Sequence, residues 1–382
     1  MNDTGKREDT LEPRLIRPDD LDPRIDWNRP IQAPGHMGVD FETRVDFRRL
    51  HRYRLARARE ALKNSECGAL LLFDVNNIRY VSSTKIGEWE RDKFCRFALL
   101  AADSEPIVWD FGSAAYHHKL YCDWLEPDNC RAGMLGMRGT VPPSAGLMKS
   151  HAEEIMDILR QMGVADLPVG VDLAETAMFF ELQNAGMKMV DGQQIMLNAR
   201  EIKNVDEITL LNQAAAMVDG VYHMMYEELK PGVRENDIVA WANKMLYEHG
   251  SDDVEAINAI SGERCSPHPH NFTDRLLRPG DQAFFDIIQS YVGYRTCYYR
   301  TLNVCFATPA QQDAYKQCRE WLDSAIELIK PGVSTDRVAS VWPKAEEFGF
   351  PSEMDAFGLQ FGHGLGVALH ERPIISRLVS LE

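Results

Sequence analysis

The sequence predicts an α+β protein in which a smaller α/β domain precedes a second domain made of two related halves. Between residues 46 and 200, helical patterns alternate with short buried-strand patterns. Further along, Leu-Lys-Pro-Gly-Val at 229–233 returns as Ile-Lys-Pro-Gly-Val at 329–333, each time between two apolar-periodic helices. This repeat indicates an internal duplication in which the two halves share a sheet.

Composition restricts the class of function. The 382 residues are 45% hydrophobic and 26% charged, as in a soluble globular protein. The net charge of −16 argues against a nucleic-acid partner or an anionic membrane surface. The eight cysteines are scattered without close pairs, which is typical of reduced thiols. We therefore expect a cytoplasmic protein that binds no nucleic acid and no membrane.

The domain boundaries follow from changes in sequence pattern. Residues 1–45 are polar and contain five prolines, which predicts an extended N-terminal arm. Residues 46–200 form the α/β domain, with a helix from Arg48 to Leu62. Its strand patterns lie at 68–74, 97–101, 106–110, 168–172 and 188–190, and Asn76–Asn77 is interpreted as a turn after the first. Residues 201–382 form the second domain, which we expect to be incomplete at its C-terminus because Leu378 to Glu382 ends without a C-terminal element.

Two long helices are predicted in the second domain. Asn204 to Glu207 has the pattern of a capping box, and Thr308-Pro309 opens the other helix with proline at its first position. The apolar residues of the first helix are Ile208, Leu211, Ala215, Val218, Tyr222 and Met225. Those of the second are Tyr315, Cys318, Leu322, Ile326 and Ile329.

Ionisable residues lie in three short segments of this domain. Asp286 lies inside the apolar strand pattern 283–289, where a carboxylate is costly unless it is paired, hydrogen-bonded or bound to a metal. His363 lies between glycines, and His370 and Glu371 follow seven residues later. A third segment, 261–270, carries His268 and His270, either of which can be a proton shuttle. The alternatives are a hydrogen-bonded core aspartate, structural histidines and a surface turn.

The order of these motifs resembles that of the creatinase/aminopeptidase P/methionine aminopeptidase superfamily. The resemblance rests on His268, Gly280-Asp281, Asp286, Gly293-Tyr294, Arg300-Thr301, His363-Gly-x-Gly and His370-Glu-x-Pro. It covers residue 200 to the end, and the phrase Asn-Ile-Arg-Tyr at 77–80 extends it into the first domain. It implies the duplicated pita-bread fold for the catalytic domain and a homodimer.

The resemblance also implies a ligand set. Peptidases of the superfamily bind a dinuclear metal centre through two aspartates, one histidine and two glutamates. Asp286 matches the first aspartate and His363 the histidine, but Cys297 stands at the second aspartate position, eleven residues after Asp286. The glutamates of the family lie beyond the His-Glu-x-Pro motif. The implied cofactor is therefore either none, or a divalent metal pair (Mn, Fe, Zn or Co) with Asp286, His363 and Cys297 among its ligands.

The leading hypothesis is a creatinase-like or Xaa-Pro-peptidase-like hydrolase that cleaves a C–N bond in a small carboxylate-bearing substrate, either with or without a metal. His268 is its predicted general acid/base, His370 holds substrate or metal, and Glu371 orients His370. His363, Arg300, Tyr298 and Trp89 are predicted to contact the substrate, with Arg91 or Arg96 as other choices for its carboxylate.

Three alternatives remain open. A metal-dependent Xaa-Pro dipeptidase or aminopeptidase requires glutamates past residue 382. A C–S lyase is suggested by similarity of 77–80, Trp89, 97–100 and 109–110 to dimethylsulfoniopropionate lyases of the superfamily. In that case Trp89, Tyr298 and Tyr299 would surround a sulfonium group, although such aromatics are also common in cores and interfaces. The last alternative is a binding protein that has lost its activity.

Overall fold

The computed structural model describes residues 45–87, 96–133, 139–267, 269–357 and 360–379. The predicted N-terminal arm therefore lies outside the described residues. Those described belong to one compact unit, which contains both mixed and antiparallel sheets. No helix in these ranges is both long and apolar enough to cross a bilayer.

The first part of the chain is a mixed sheet with helices on both faces. Its strands are β1 (Ala69–Leu72), β2 (Phe97–Ala101), β3 (Ile107–Asp110), β4 (Cys130–Ala132), β5 (Val169–Val171) and β6 (Met189–Asp191). In the described ranges they form one sheet in the order β4-β3-β2-β1-β5-β6, with β1–β2 and β2–β3 antiparallel and the other pairs parallel. The helices are α1 (Phe47–Lys63), α2 (Val75–Ser82), α3 (Gly112–Tyr121), α4 (Leu147–Gln161), α5 (Thr176–Asn184) and α6 (Gln193–Arg200).

Both faces of this sheet are buried, which explains its continuous apolar strands. Leu71 packs on one side with residues of α4 and α5, whereas Leu70 and Leu72 pack on the other with α1, α2 and α6. The predicted strands and the predicted first helix are thus confirmed. The predicted turn at Asn76–Asn77 is wrong: Asp74 accepts hydrogen bonds from the N–H groups of Asn76 and Asn77 and caps α2.

The second part is an antiparallel sheet covered by two long helices. The helices are α7 (Val205–Glu228) and α8 (Glu235–Glu248), and the strands are β7 (Asp253–Ser261), β8 (Gln282–Tyr291), β9 (Tyr294–Arg295) and β10 (Tyr298–Asn303). Strand β8 pairs with β7 on one side and with β10 on the other, and β9 closes a hairpin with the end of β8. The predicted capping box of α7 is confirmed. Its predicted apolar face is wrong at Ile208, which is half exposed, while Leu210 and Val218 are buried.

The remaining elements carry the histidine motifs. They are α9 (Pro309–Leu328), α10 (Thr335–Ala339), α11 (Glu353–Phe357), β11 (Gly362–Gly364) and β12 (Glu371–Ile375). Strands β11 and β12 are antiparallel, with a register irregularity between His363 and Gly364. The Lys-Pro-Gly-Val phrases follow α7 and α9. The predicted apolar face of α9 is wrong, because its residues are all exposed: Tyr315, Cys318, Leu322, Ile326 and, just after the helix, Ile329. The first and second parts of the chain share a core, in which Leu210, Tyr294 and Val367 pack with residues of α1 and β1.

Candidate active site

Asp286 lies in the middle of the antiparallel sheet. Its cross-strand neighbours are Asn258 on β7 and Tyr299 on β10. The Asn258 amide donates a hydrogen bond to Asp286 Oδ2 at 3.2 Å, and Cys297 Sγ lies 4.0 Å from Asp286 Oδ1. The side chain of Asp286 is almost completely buried. The structure therefore brings together the two residues that occupy the aspartate positions of the superfamily motif.

Burial controls the protonation of this pair. It raises the pKa of Asp286 to about 6, although the hydrogen bond from Asn258 and the charge of His270 act in the opposite direction. Burial, together with the charge of Asp286, raises the pKa of Cys297 to about 12. At neutral pH the Cys297 thiol therefore keeps its proton. In the metal-free chain it is a weak hydrogen-bond donor to the carboxylate.

His363 and His370 face each other beside the sheet. Their ring centroids are 4.2 Å apart and the ring planes are inclined by 35°. His363 Nδ1 lies 2.8 Å from the Gly364 carbonyl oxygen, which can only accept, so this nitrogen carries the proton and Nε2 has a free lone pair when the ring is neutral. Burial, and then the charge of His363, lower the pKa of His370. The His370 ring is therefore more readily neutral than an exposed imidazole and can accept a proton.

Two glycines permit the close packing around His363. A Cβ at Gly364 would collide with the Arg372 carbonyl, and one at Gly366 would collide with the Glu371 carboxylate. Glycine at these positions lets β11 and β12 approach closely. The His-Gly-x-Gly pattern is thus explained by the packing of the histidine segment against the following strand.

Glu371 belongs to a buried ion-pair cluster. Its carboxylate lies 2.7 Å from Lys203 Nζ and 3.4 Å from Arg200 Nε, and it accepts a hydrogen bond from the Ala368 N–H at 3.0 Å. The hydrogen bond of His370 comes from Gln360, at 3.3 Å. These contacts anchor Glu371 to α6 and to Lys203. Among the described residues Glu371 forms no hydrogen bond with His370, so these contacts do not support the predicted role of Glu371 in orienting that ring.

A cavity of about 510 Å³ lies next to His363. Tyr298 and His363 both line it, which brings together two residues predicted to contact the substrate. Three cationic residues also line it: Lys203, Arg295 and Arg372. The sequence analysis missed them. Arg372 belongs to the His-Glu-Arg-Pro motif and could have been predicted from it. Lys203 and Arg295 lie far from that motif in the sequence, and only the folded structure places them at the cavity.

The other predicted substrate ligands lie elsewhere. Arg300 is exposed and stacks on Tyr298, with its guanidinium carbon 4.8 Å from the ring centroid. Arg96 is wrong as a ligand for a substrate carboxylate, because it is buried in the first part of the chain and pairs with Asp110 at 3.1 Å. His270 is exposed. His268, Trp89 and Arg91 lie outside the described residues.

The donor set does not fit a dinuclear metal centre. No group of three or more His, Cys, Asp or Glu side chains is arranged to hold a metal ion in the ranges that the structure describes. Asp286 and Cys297 supply two donors, one of them a protonated thiol, and His363 does not join them in such a group. Metal sites of this kind take at least three protein ligands. No chemical step is therefore assigned to a metal here.

The stability of the sheet is predicted to depend on pH through Asp286. Because its pKa rises from 3.8 to about 6 on folding, the folded state is favoured below pH 4 and loses up to about 3 kcal/mol as pH rises through 6. Asp286→Asn removes this loss. Urea unfolding should show the variant gaining stability relative to the wild type between pH 5 and pH 7.5.

Asp252→Asn is the matched control of opposite sign. Burial acts to raise the pKa of Asp252, but Arg79, Ser290 and Lys85 outweigh it and the pKa is lowered. Its ionised form therefore stabilises the protein at neutral pH, and this contribution fades on acidification. Suppose instead that Asp286→Asn destabilised the protein at pH 7.5 and not at pH 5. A bound cation would then have to hold the carboxylate in its ionised form, and this result would support the predicted metal site.

Comparison with known proteins shows the fold and a family match over the second part of the chain. Residues 209–381 match the profile of Metallopeptidase family M24. Dipeptidase PepE from Mycobacterium ulcerans superposes with a TM-score of 0.67 at 22% identity, over 87% of this chain and 85% of that one. The Xaa-Pro dipeptidase from Bacillus anthracis gives 0.66 at 16% identity, over 86% and 85%. These matches support the resemblance of residues 209–381 to the creatinase/aminopeptidase P, or pita-bread, superfamily, and the predicted α+β fold class is confirmed.

Curated relatives carry two kinds of name. The probable dipeptidase PepE of Mycobacterium tuberculosis is 26% identical over 66% of this chain and 62% of its own length. The Xaa-Pro dipeptidase of Pyrococcus furiosus is 25% identical over 59% and 64%. Dimethylsulfoniopropionate lyase DddP of Roseovarius nubinhibens is 23% identical over 87% and 75%. The match thus spans less than two thirds of the length of these two curated dipeptidases.

Proposed function

We propose that this chain is a hydrolase of the Xaa-Pro dipeptidase and creatinase type, which cleaves a C–N bond in a small carboxylate-bearing substrate without a bound metal pair. One observation carries the proposal: the His363 imidazole, with a free Nε2, lines a cavity of about 510 Å³ together with three cations. The names of the dipeptidase relatives support the hydrolase class.

Proton transfer is assigned to the histidines. His370 has a lowered pKa and lies against His363, so the pair can accept one proton and release it to the leaving nitrogen. His268 stays in the proposal as the general acid/base that the motif order implies, although it lies outside the described residues. Glu371 holds the strand that carries His370 in place through its ion pairs.

Charge balance in the cavity selects Arg372 as the ligand for the substrate carboxylate. Lys203 pairs at 2.7 Å with Glu371, which also pairs with Arg200, and Arg295 pairs with Glu255 at 2.5 Å. Glu201 also lines the cavity. The Arg372 guanidinium contacts only amide oxygens among the described residues, those of Asn198 and Gln194. Its charge is left for an anion, and a guanidinium binds a carboxylate with two parallel hydrogen bonds.

Replacement of Arg372 by glutamine is expected to raise KM for a dipeptide by about tenfold or more, with a smaller effect on its C-terminal amide. Initial-rate kinetics on the two substrates measure the difference. Arg131→Gln is the matched control, since Arg131 pairs with Glu154 in the first part of the chain and does not line the cavity. An equal rise of KM for dipeptide and amide would show that Arg372 only maintains the structure.

A C–S lyase is the second candidate. The observation in its favour is the match to the dimethylsulfoniopropionate lyase, which covers more of this chain than the two dipeptidases do. Tyr298 lines the cavity and offers a ring face to a sulfonium group. Arg372 has no carboxylate partner among the described residues, and its charge counts against a cationic substrate in the same cavity.

One experiment separates these functions. The purified full chain is incubated with Xaa-Pro dipeptides, creatine and dimethylsulfoniopropionate, each with and without a chelator. Amine or amino-acid release that the chelator leaves unchanged supports the proposal. Release that the chelator abolishes identifies the metal-dependent peptidase, and dimethyl sulfide identifies the lyase. No turnover of any substrate contradicts all three.

We propose further that the chain forms a homodimer, as the superfamily resemblance implies. Light scattering is the direct measurement, and a monomeric mass contradicts this part of the proposal.

A further inference from the structure

A second cleft lies in the first part of the chain, distinct from the His363 cavity. Its volume is about 780 Å³, within the range of about 300–1,000 Å³ that is usual for small-molecule sites. It is bordered by α1, by the end of α2, and by residues 105–106 and 123–125. None of the residues that line the His363 cavity lines this cleft.

One wall of the cleft is aromatic. The ring of Trp124 lies 4.7 Å from that of His51, centroid to centroid, and its indole N–H donates to the Ser82 carbonyl at 2.9 Å, which fixes the plane of the indole. Phe47 lies on the other side of His51, with centroids 6.4 Å apart. Phe47 and Trp124 are 40% and 39% exposed although both are large and apolar. Exposed rings at the edge of a cleft are a surface on which another planar ring can stack.

The cleft also carries an unbalanced positive charge. Arg48 pairs with Asp123 at 3.3 Å, and Arg59 pairs with Glu105 at 2.8 Å. Arg52 lines the cleft and has no carboxylate partner among the described residues. A cation of this kind favours an anionic group on the ligand.

His51 adds a polar group that is shielded from water. Its Nδ1 is buried and has no hydrogen-bond partner within the described ranges. Burial, and then the charge of Arg54, lower the pKa of His51 to about 4, so its ring is neutral at physiological pH. The neutral His51 ring therefore adds an aromatic surface to the cleft without adding charge.

We propose that this cleft binds a small anionic molecule with a planar aromatic ring, which stacks on Trp124 and pairs with Arg52. This site is separate from the proposed C–N hydrolysis and does not depend on it. The ring stacks against the indole and the His51 imidazole, and the anionic group faces the guanidinium that has no carboxylate partner.

Calorimetric titration of the full chain tests the proposal, with 2-naphthoate as the probe. Two matched compounds lack one feature each: 2-naphthalenemethanol has no charge, and cyclohexanecarboxylate has no planar ring. We expect 2-naphthoate to bind at one site per chain and both analogues to bind about tenfold or more weakly.

Variants assign the binding to the cleft. Arg52→Gln and Trp124→Leu are each expected to weaken 2-naphthoate binding by about tenfold or more. Arg160→Gln is the matched control, because Arg160 is exposed and pairs with Asp157 outside the cleft. Arg372→Gln tests whether the probe occupies the His363 cavity instead. Arg52 makes no contact that the fold requires, so its variant gives a result even if Trp124→Leu does not fold.

The affinities of these variants for 2-naphthoate decide the proposal. Loss of affinity in Arg52→Gln, with Arg160→Gln and Arg372→Gln unchanged, supports the proposal. No binding by the folded wild type, unchanged affinity in Arg52→Gln, or loss only in Arg372→Gln would each overturn it.

Discussion

Replacing Glu371 by glutamine is expected to destabilise the protein by about 3–5 kcal/mol, which is typical when one partner of a buried ion pair is removed. The side chains of Glu371 and Arg200 are each 1% exposed, and that of Lys203 is 13% exposed. Without the carboxylate, two cations are left with little access to water. Arg200 is especially affected, because its Nε and Nη1 have no hydrogen-bond partner among the described residues. Urea unfolding measures the change.

Asp323→Asn is the control for this prediction. Asp323 forms a surface pair with Arg319 at 2.9 Å on α9, and exposed pairs contribute about 0–1 kcal/mol. A Glu371→Gln protein with wild-type stability and no turnover would contradict the structural role. It would restore the catalytic role predicted from the sequence, in which Glu371 orients His370.

The first part of the fold was predictable because its local patterns agree with its tertiary packing. The strands there are short, apolar runs that are covered on both sides, so burial needed no long-range information. The capping box at Asn204 was predictable for the same reason, since both of its hydrogen bonds join residues three apart in sequence.

The errors occurred where one contact overrides a local tendency. Two adjacent asparagines are typical of a turn, but the carboxylate of Asp74 accepts their N–H groups and starts a helix. On α7, Ile208 fits the apolar period of the sequence, yet it lies on the first turn at a half-exposed position. Periodicity predicts which residues share a face, but not where along the helix the covering element ends.

The candidate site shows the same division. Asp286, His363 and His370 were identified from the sequence, because ionisable residues among glycines and apolar strand residues are costly without a function. The roles of their neighbours depend on contacts over long separations. Lys203 and Arg200 reach Glu371 from about 170 residues away in the chain, and no spacing rule connects them. The ion-pair role of Glu371 could therefore be recognised only in the folded structure.

The second large effect is expected at His363. Replacement by asparagine keeps a donor near the position of Nδ1, which bonds the Gly364 carbonyl, and removes Nε2. If Nε2 takes part in proton transfer, kcat/KM should fall by about 10²–10⁴-fold while the free energy of unfolding changes little. Steady-state kinetics on a dipeptide that the wild type cleaves is the measurement.

His223→Asn provides the comparison for that loss, since His223 is exposed on α7 and forms only a surface pair with Glu227 at 3.5 Å. Its kinetics should match the wild type. His370→Asn should also lower kcat/KM, and the double variant should lose less than the product of the two single losses, because the two rings lie 4.2 Å apart and act on one proton. Independent, multiplicative losses would mean that the imidazoles serve separate steps. A His363→Asn enzyme with more than a tenth of wild-type kcat/KM would exclude this histidine from the chemistry.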